Sequence, residues 1–211
     1  MQRRRPLLLA AGAAALAALP PLARPALAQM DLGRATAFIQ QTGDQMVAAI
    51  NAPGSPAERR ERVAAIVRRA VDVEGVGRFV LGRHWRTATP QEQAEYLRLF
   101  EEVLVRNLSA RFGEFQGVRF ALGRSQQRTE DDALVTTVVE RPGSPPVNLD
   151  WRVAETASGP RVVDLVAEGT SLRLTQRSEY SAVVTRNGGR VAPLLDAMRG
   201  QVSGLTAREG R

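Results

Sequence analysis

Cysteine and lysine are absent from this 211-residue chain, and histidine occurs once. Without cysteine the chain forms no disulfide and has no thiol nucleophile, so its fold must rest on its core and its hydrogen bonds. A single histidine without cysteine also excludes most zinc sites, which need several such ligands. All 29 basic residues are therefore arginine.

Motifs that carry catalysis are missing as well. There is no G-x-S-x-G nucleophile elbow, and the glycine pair Gly188-Gly189 follows a helical pattern, whereas a phosphate-binding loop follows a strand. The acidic run Glu130-Asp131-Asp132 lacks the loop of an EF-hand. His84, between Arg83 and Trp85, is expected to be a partly exposed polar residue. The sequence therefore singles out no catalytic group.

Long apolar runs are absent beyond residue 28, since none approaches the 18 residues that suggest a membrane span. Residues 1–28 have the three parts of a cleaved export signal: Arg3-Arg4-Arg5, the apolar residues 7–19, and the cleavage site Ala26-Leu27-Ala28. Arg4-Arg5 leaves both the twin-arginine and the general secretion route open. No cysteine follows the apolar run, which excludes a lipoprotein anchor. We expect one exported domain, residues 29–211.

Most of the net charge of +7 comes from this leader, which contains four arginines and no acidic residue. Its removal leaves 183 residues with 25 arginines and 22 acidic residues, a net charge of +3. A nucleic-acid-binding domain is usually much more basic, so the charge gives that class little support. The remaining length is enough for one domain with a sizeable core.

Helical patterns fill the first half of the exported domain. Residues 32–50 repeat apolar side chains at helical spacing. Ser55-Pro56-Ala57-Glu58 and Thr89-Pro90-Gln91-Glu92 are capping boxes, and each predicts a helix start. The second opens the longest predicted helix, residues 90–112, whose broad apolar stripe predicts that it lies across a sheet.

Three further helical segments are less regular. Gly75, Gly77 and Gly82 interrupt the apolar residues of segment 72–85, which predicts short helical turns separated by glycine breaks. Near the end of the chain, residues 176–185 and 191–202 are predicted helices. Residues 204–211 are expected to fray.

Strand patterns lie between these helices. Residues 118–122, 133–140, 147–153 and 161–167 are short apolar runs, most of them alternating apolar and polar side chains with a period of two, and residues 171–174 alternate again. Short strands joined by tight turns predict an antiparallel meander with one apolar face. The predicted fold class is α+β, a curved antiparallel sheet covered by several helices. Periodicity alone does not distinguish a solid core from a cavity between these layers.

Three segments resemble the MlaC family of periplasmic phospholipid-binding proteins, also described as toluene-tolerance or auxiliary ABC-transport proteins. Residues 79–90, FVLGRHWRTATP, are similar to the family stretch LG-x-aromatic-W-x-x-A-[ST]-P before a long helix. The long helix itself, with Phe100, is the second segment. Residues 162–172, VVDLVAEGTSL, are similar to V-x-D-V-x-V-E-G-V-S-L. Thr170 and His84 depart from the family pattern, in which an apolar residue and a tyrosine are common.

The resemblance implies a soluble periplasmic carrier that shuttles phospholipid and contributes to outer-membrane lipid asymmetry. Acyl chains would occupy an apolar cavity between sheet and helices, with the headgroup toward solvent. The implied partners are an inner-membrane MCE-type ABC transporter complex and an outer-membrane lipoprotein complex, and no metal, cofactor or catalytic residue is implied. The side of each predicted strand or helix on which a side chain lies then predicts which residues line the cavity. These are Phe79, Trp85, Phe100, Leu104, Phe120, Leu122, Val147, Leu149, Trp151, Val153, Val163 and Leu165.

Two other classes of protein stay open at this point. One is an enzyme on an NTF2-like α+β scaffold that acts on an apolar substrate. It would need a buried ionisable residue in the cavity, and Asp150, Asp164 and His84 are the candidates. Strand parity turns Asp150 away from the face of Trp151, which counts against it. The other class is an adaptor protein with a solid core.

Overall fold

A computed structural model describes residues 30–113 and 117–209, with the backbone alone at 110–113, 141, 208 and 209. The α-helices are Leu32–Asn51 (α1), Pro56–Ala70 (α2), Val73–Leu81 (α3), Pro90–Gly113 (α4), Leu172–Arg186 (α5) and Ala192–Glu209 (α6), and a 3-10 helix, Gly82–Arg86, follows α3. The strands are Arg119–Gln127 (β1), Asp132–Arg141 (β2), Ser144–Thr156 (β3), Gly159–Ala167 (β4) and Thr170–Ser171 (β5). The predicted signal peptide, residues 1–28, lies outside the described residues.

The five strands form one sheet in the order β1-β2-β3-β4-β5, and every neighbouring pair is antiparallel. Four helices precede this sheet along the chain and two follow it. The predicted α+β fold class, an antiparallel meander with covering helices, is confirmed.

Both predicted capping boxes are confirmed by their hydrogen bonds. The Ser55 hydroxyl accepts from the Glu58 backbone N–H at 3.3 Å, and the Glu58 carboxylate accepts from the Ser55 N–H at 2.7 Å. Thr89 and Glu92 repeat this exchange at 3.2 Å and 2.8 Å. Because each box satisfies donors that a helix start leaves free, α2 and α4 begin where the sequence predicts.

Helix α1 packs on the apolar face of the sheet. Its Ala35 and Ile39 belong to one buried cluster with Ala133, Val135 and Val153 of the strands. The sequence predicted that α4 would lie across the sheet, but the described part of α4 packs mainly against α6 and α2. That prediction is wrong, because an apolar stripe broad enough for a sheet also fits between helices on two sides.

The later strands differ from the prediction at two points. Of residues 171–174 only Ser171 lies in a strand, because its hydroxyl accepts from the Leu174 N–H at 3.2 Å and caps α5, which begins at Leu172. In β4 the register shifts so that Val162, and not Val163, is the partner of Val153. This bulge interrupts the alternation that grouped Val163 with Leu165.

Two helical predictions also need correction. Gly75 and Gly77 lie inside α3 and do not break it; at Gly77 a Cβ would approach Leu97 Cδ2 to 2.7 Å, so this glycine allows close packing on α4. Helix α6 continues to Glu209, past Gly204, where fraying was expected.

Gly82 ends α3 in a conformation that strongly favours glycine. Its φ of 60° and ψ of −129° are rarely adopted by residues with a Cβ, and a Cβ there would lie 3.1 Å from Arg177 Cζ. We expect Gly82→Ala to lower the free energy of unfolding by about 1–3 kcal/mol in urea denaturation. Gly200→Ala is the matched control, since a Cβ there meets nothing within 4 Å and alanine favours helix. Equal stabilities of the two variants would contradict this account.

Candidate functional site

The helix-facing side of the sheet is divided into a closed half and an open half. In the closed half, under α1, Ala133, Val135 and Val153 have no exposed surface. On the same face, toward the β2–β3 and β4–β5 turns, apolar side chains keep part of their surface exposed. We call these residues the open half of the sheet: Val139, Val147, Leu149, Trp151 and Leu165.

Trp151 lies at the boundary between the two halves. Its indole N–H donates to Thr137 Oγ1 at 2.8 Å, and Thr137 is itself buried within the neighbouring strand. The only polar atom of the indole is therefore satisfied inside the sheet. The ring packs against the cluster under α1 and offers only carbon to any ligand on this face.

Strand β1 extends the same face. Phe120 pairs with Val139, and Leu122 pairs with Thr137. The Phe120 ring lies directly on α1, because a Cβ at Gly43 would come within 2.2 Å of it. The structure thus gathers on this face the following predicted site residues: Phe120, Leu122, Val147, Leu149, Trp151, Val153 and Leu165.

The predicted helical site residues lie in other clusters of the described structure. Phe100 stacks on Tyr96 with ring centroids 5.8 Å apart, and Trp85 meets the same tyrosine edge-on at 6.4 Å. Phe79 packs against this helical core, and Leu104 packs where α4 faces α2. Contact of these four residues with a ligand, like that of Val163 in the β4 bulge, stays a prediction.

The two aspartates proposed for an enzyme lie on the other face of the sheet. Asp150 Oδ1 accepts from Thr136 Oγ1 at 2.5 Å, on the side that strand parity predicts. Asp164 is buried, accepts from Ser171 Oγ at 2.6 Å and pairs with Arg173 at 3.3 Å. Burial raises the Asp164 pKa above its ordinary value. Neither carboxylate reaches the open half of the sheet.

His84 is buried, with 6% of its surface exposed, so the expectation of a partly exposed residue is wrong. It lies in the 3-10 helix after α3, which contacts α5. Burial, and secondarily the charge of Arg83, lowers its pKa below the ordinary value. The three candidate groups for an enzyme therefore do not meet at one place.

Two surface clefts in the described structure have volumes of ≈ 350 Å³, between α2 and α4, and ≈ 490 Å³, between α1, α2 and β4. Arginine, glutamate and glutamine side chains line much of both, and neither contains a predicted site residue.

Within residues 30–113 and 117–209, no cluster of histidine, aspartate and glutamate could hold a metal ion. None of the helices in those ranges combines the length and apolar character that a membrane crossing needs.

A family model described as MlaC protein matches residues 40–200, well over half of the chain. The chain belongs to the MlaC family. This confirms the family that the three sequence segments indicated. The structure is also similar to that of a phospholipid-binding protein from Ralstonia solanacearum, solved in complex with a phospholipid, with a TM-score of 0.72. That match covers 82% of this chain and 98% of the other at 24% identity, and shows that the two share a fold.

Two residues of this MlaC-family chain were not predicted as site residues: Val139, on the helix-facing side of the sheet, and Gly43, on α1. Val139 lies in a predicted strand, and its pairing with Val147 follows once the register is known. Gly43 has no signal in the sequence, because its role depends on Phe120, a residue 77 positions further along the chain. Such a contact is visible only after folding.

The buried His84 should make stability depend on pH. It is the only histidine, and its folded pKa lies below the ordinary value near 6.5. Between these two values the unfolded chain binds a proton that the folded chain does not, so the free energy of unfolding falls as pH is lowered. Urea denaturation from about pH 7.5 to about pH 5.5 should show this fall. His84→Gln should lose most of it, and an unchanged slope would count against the assignment.

Proposed function

We propose that this chain binds a phospholipid by its acyl chains and carries it through the periplasm between the outer and inner membranes. It exchanges lipid with an inner-membrane MCE-type ABC transporter complex and with an outer-membrane lipoprotein complex. The observation that carries the proposal is the open half of the sheet, an apolar surface that α1 leaves partly exposed. Membership of the MlaC family and the phospholipid bound by the Ralstonia solanacearum protein support it.

The chemistry of this surface suits hydrocarbon. Val139, Val147, Leu149 and Leu165 offer only carbon, and the N–H of Trp151 is already bonded to Thr137. A polar ligand laid there would lose its hydrogen bonds to water without gaining others, which costs free energy. An acyl chain has no such requirement, and it gains by leaving water.

The free energy of exposing a lipid explains why a carrier is needed. Each methylene moved from hydrocarbon into water costs ~0.8 kcal/mol, so a two-chain lipid with roughly 30 methylenes would cost upwards of ~20 kcal/mol. A protein surface that replaces the contacts of the bilayer removes most of that cost. No covalent bond changes in this process, which is consistent with Asp150, Asp164 and His84 lying apart from the open half.

Burial suggests how far the lipid reaches along the sheet. Acyl chains contact Leu149 and Leu165 first, with Trp151 at the inner end and Phe120 and Leu122 at the side of β1. Val153 is completely buried and Phe100 is 8% exposed, so a ligand reaches either only when the covering helices move apart. The proposal extends to Phe79, Trp85, Leu104 and Val163 in such an opened state. The headgroup stays in solvent.

Trp151→Asp is the first test of this binding surface. A carboxylate in the path of the acyl chains carries a large desolvation cost, so we expect the co-purifying phospholipid to fall at least ten-fold. The measurement is native mass spectrometry with organic extraction of protein purified without detergent. Asn148→Asp is the matched control, because it puts a carboxylate on the same strand but on the opposite, exposed face.

Unfolding by the substitution must be separated from loss of binding. Circular dichroism should show a folded Trp151→Asp protein, and Val147→Asp, near the end of the sheet, provides a second variant farther from the cluster under α1. If both variants fold and keep their lipid, the open half of the sheet is not the binding surface. If wild-type protein carries no phospholipid at all, the carrier function fails.

The transport step is tested separately with labelled phospholipid. Wild-type protein should move lipid between donor and acceptor vesicles, and faster when the acceptor contains a reconstituted MCE-type transporter. Trp151→Asp should transfer at the background rate, and Asn148→Asp at the wild-type rate. Lipid binding without any acceleration by the transporter would retain the carrier surface but remove this partner from the proposal.

A further inference from the structure

The cleft between α1, α2 and β4 contains positive charge without a negative counterpart. Its volume is ≈ 490 Å³, and it is lined by Arg69, in the last turn of α2, and by Arg161, near the start of β4. Among the described residues, no aspartate or glutamate lines it. We call it the arginine cleft, and its lining residues are Phe38, Gln41, Thr42, Gln45, Ile66, Arg69, Ala70 and Arg161.

The two arginines of this cleft bond only to neutral groups. Arg69 Nη2 donates to the Gln45 amide oxygen at 2.9 Å, and Arg161 Nη1 donates to the backbone carbonyl of Arg69. Neither guanidinium forms an ion pair with any carboxylate whose side chain the structure describes. Because a guanidinium has five N–H donors, each arginine keeps most of its donors for a ligand.

The end of α2 neutralises only part of this charge. The last carbonyls of a helix carry about half a negative charge, and Arg161 bonds directly to one of them. Two guanidinium groups bring two positive charges, so an excess of about 1.5 charges remains. Buried Ile66 and Ala70 line the same cleft. A cleft with charge of one sign and apolar walls concentrates ions of the opposite sign.

The cleft between α2 and α4 provides a comparison within the same molecule. Its arginines face glutamates: Arg68 pairs with Glu101 at 2.7 Å, and Arg106 pairs with Glu102 at 3.0 Å. The protein itself therefore neutralises positive charge in that cleft. In the arginine cleft the other polar side chains are amides and a hydroxyl, which donate hydrogen bonds but carry no charge.

We propose that the arginine cleft binds a phosphate-bearing anion, with Arg69 and Arg161 as the residues that contact the phosphate oxygens. A phosphate monoester carries about −1.5 to −2 charges at neutral pH and presents three strong acceptor oxygens, which matches the excess charge and the free donors of the cleft. The planar fork of a guanidinium suits these oxygens. A carboxylate has a single charge and would leave part of the excess without a partner.

The arginine cleft lies apart from the open half of the sheet. Arg161 and Leu165 are four residues apart on β4, about 13 Å along the strand, and no residue of the open half lines the cleft. The proposal therefore does not rest on the proposed carriage of lipid. The phosphate group has two possible sources, a free phosphate ester in solution and the headgroup of a lipid that the protein carries.

Isothermal titration calorimetry with inorganic phosphate tests the cleft, with the exported chain and with ionic strength held constant by sodium chloride. Wild-type protein should show one saturable site. Arg69→Gln with Arg161→Gln should weaken binding at least about ten-fold, because both charged donors are lost. Arg69→Gln alone keeps the bond between Arg161 and the end of α2, so this variant should fold and should still weaken binding at least about three-fold.

A charge-matched control is available away from the cleft. Arg186 and Arg190 are exposed, and they bond to the carbonyls of Ala182 and Asn187. Arg186→Gln with Arg190→Gln removes the same charge and should keep the phosphate affinity within about two-fold, because exposed charges farther away than a Debye length are screened. An equal loss in this control would show a general charge effect and overturn the site.

Trp151→Asp, which should lose carried lipid, identifies the source of the phosphate group. Equal phosphate affinities of this variant and the wild-type protein would assign the cleft to a free phosphate ester. If only the variant bound phosphate, the headgroup of the carried lipid would be the occupant of the cleft. No saturable binding to either protein would overturn the proposal. Lipid content is measured separately by organic extraction, so that result would leave the carrier function standing.

Discussion

The packing of α1 against only part of the sheet is the constraint on which this structure depends. A helix is about 10 Å across, whereas four long strands about 4.8 Å apart present a face wider than one helix covers. Helix α1 covers its part of the face completely, so Ala133, Val135 and Val153 have no exposed surface. The remainder, from Trp151 to Val147, keeps its apolar side chains accessible, and this incomplete coverage supplies a surface for hydrocarbon.

The other interior of the molecule is filled. Tyr96 is completely buried among α3, α4, α5 and α6, its hydroxyl donates to the Gly77 carbonyl at 3.0 Å, and burial raises its pKa far above the ordinary value. Leu99, Leu194 and Met198 pack around it with almost no exposure. A solid core, as expected of an adaptor, therefore describes the helical half of the protein but not the open half of its sheet. The fold separates the part that provides stability from the part proposed to hold a ligand.

Charged residues on the outer face of the sheet connect these two parts. Arg152 pairs with buried Asp132 and lies opposite Asp164 in the neighbouring strand, and Asp164 pairs with Arg173 of α5. Such buried pairs are weak evidence for stability, but each leaves an uncompensated charge if one partner is removed. In a chain without disulfides they fix where α5 begins relative to the sheet.

The sequence by itself determined the elements whose signals are local. Capping boxes at Ser55 and Thr89, period-two strands and the three family segments were enough for the fold class, the order of elements and the MlaC family. Only the tertiary structure decided which helix covers the sheet, where the β4 bulge moves Val163 out of register, and that His84 is buried. Periodicity states which side of an element is apolar, but the partner of that side depends on contacts between residues far apart in the chain, such as Gly43 and Phe120.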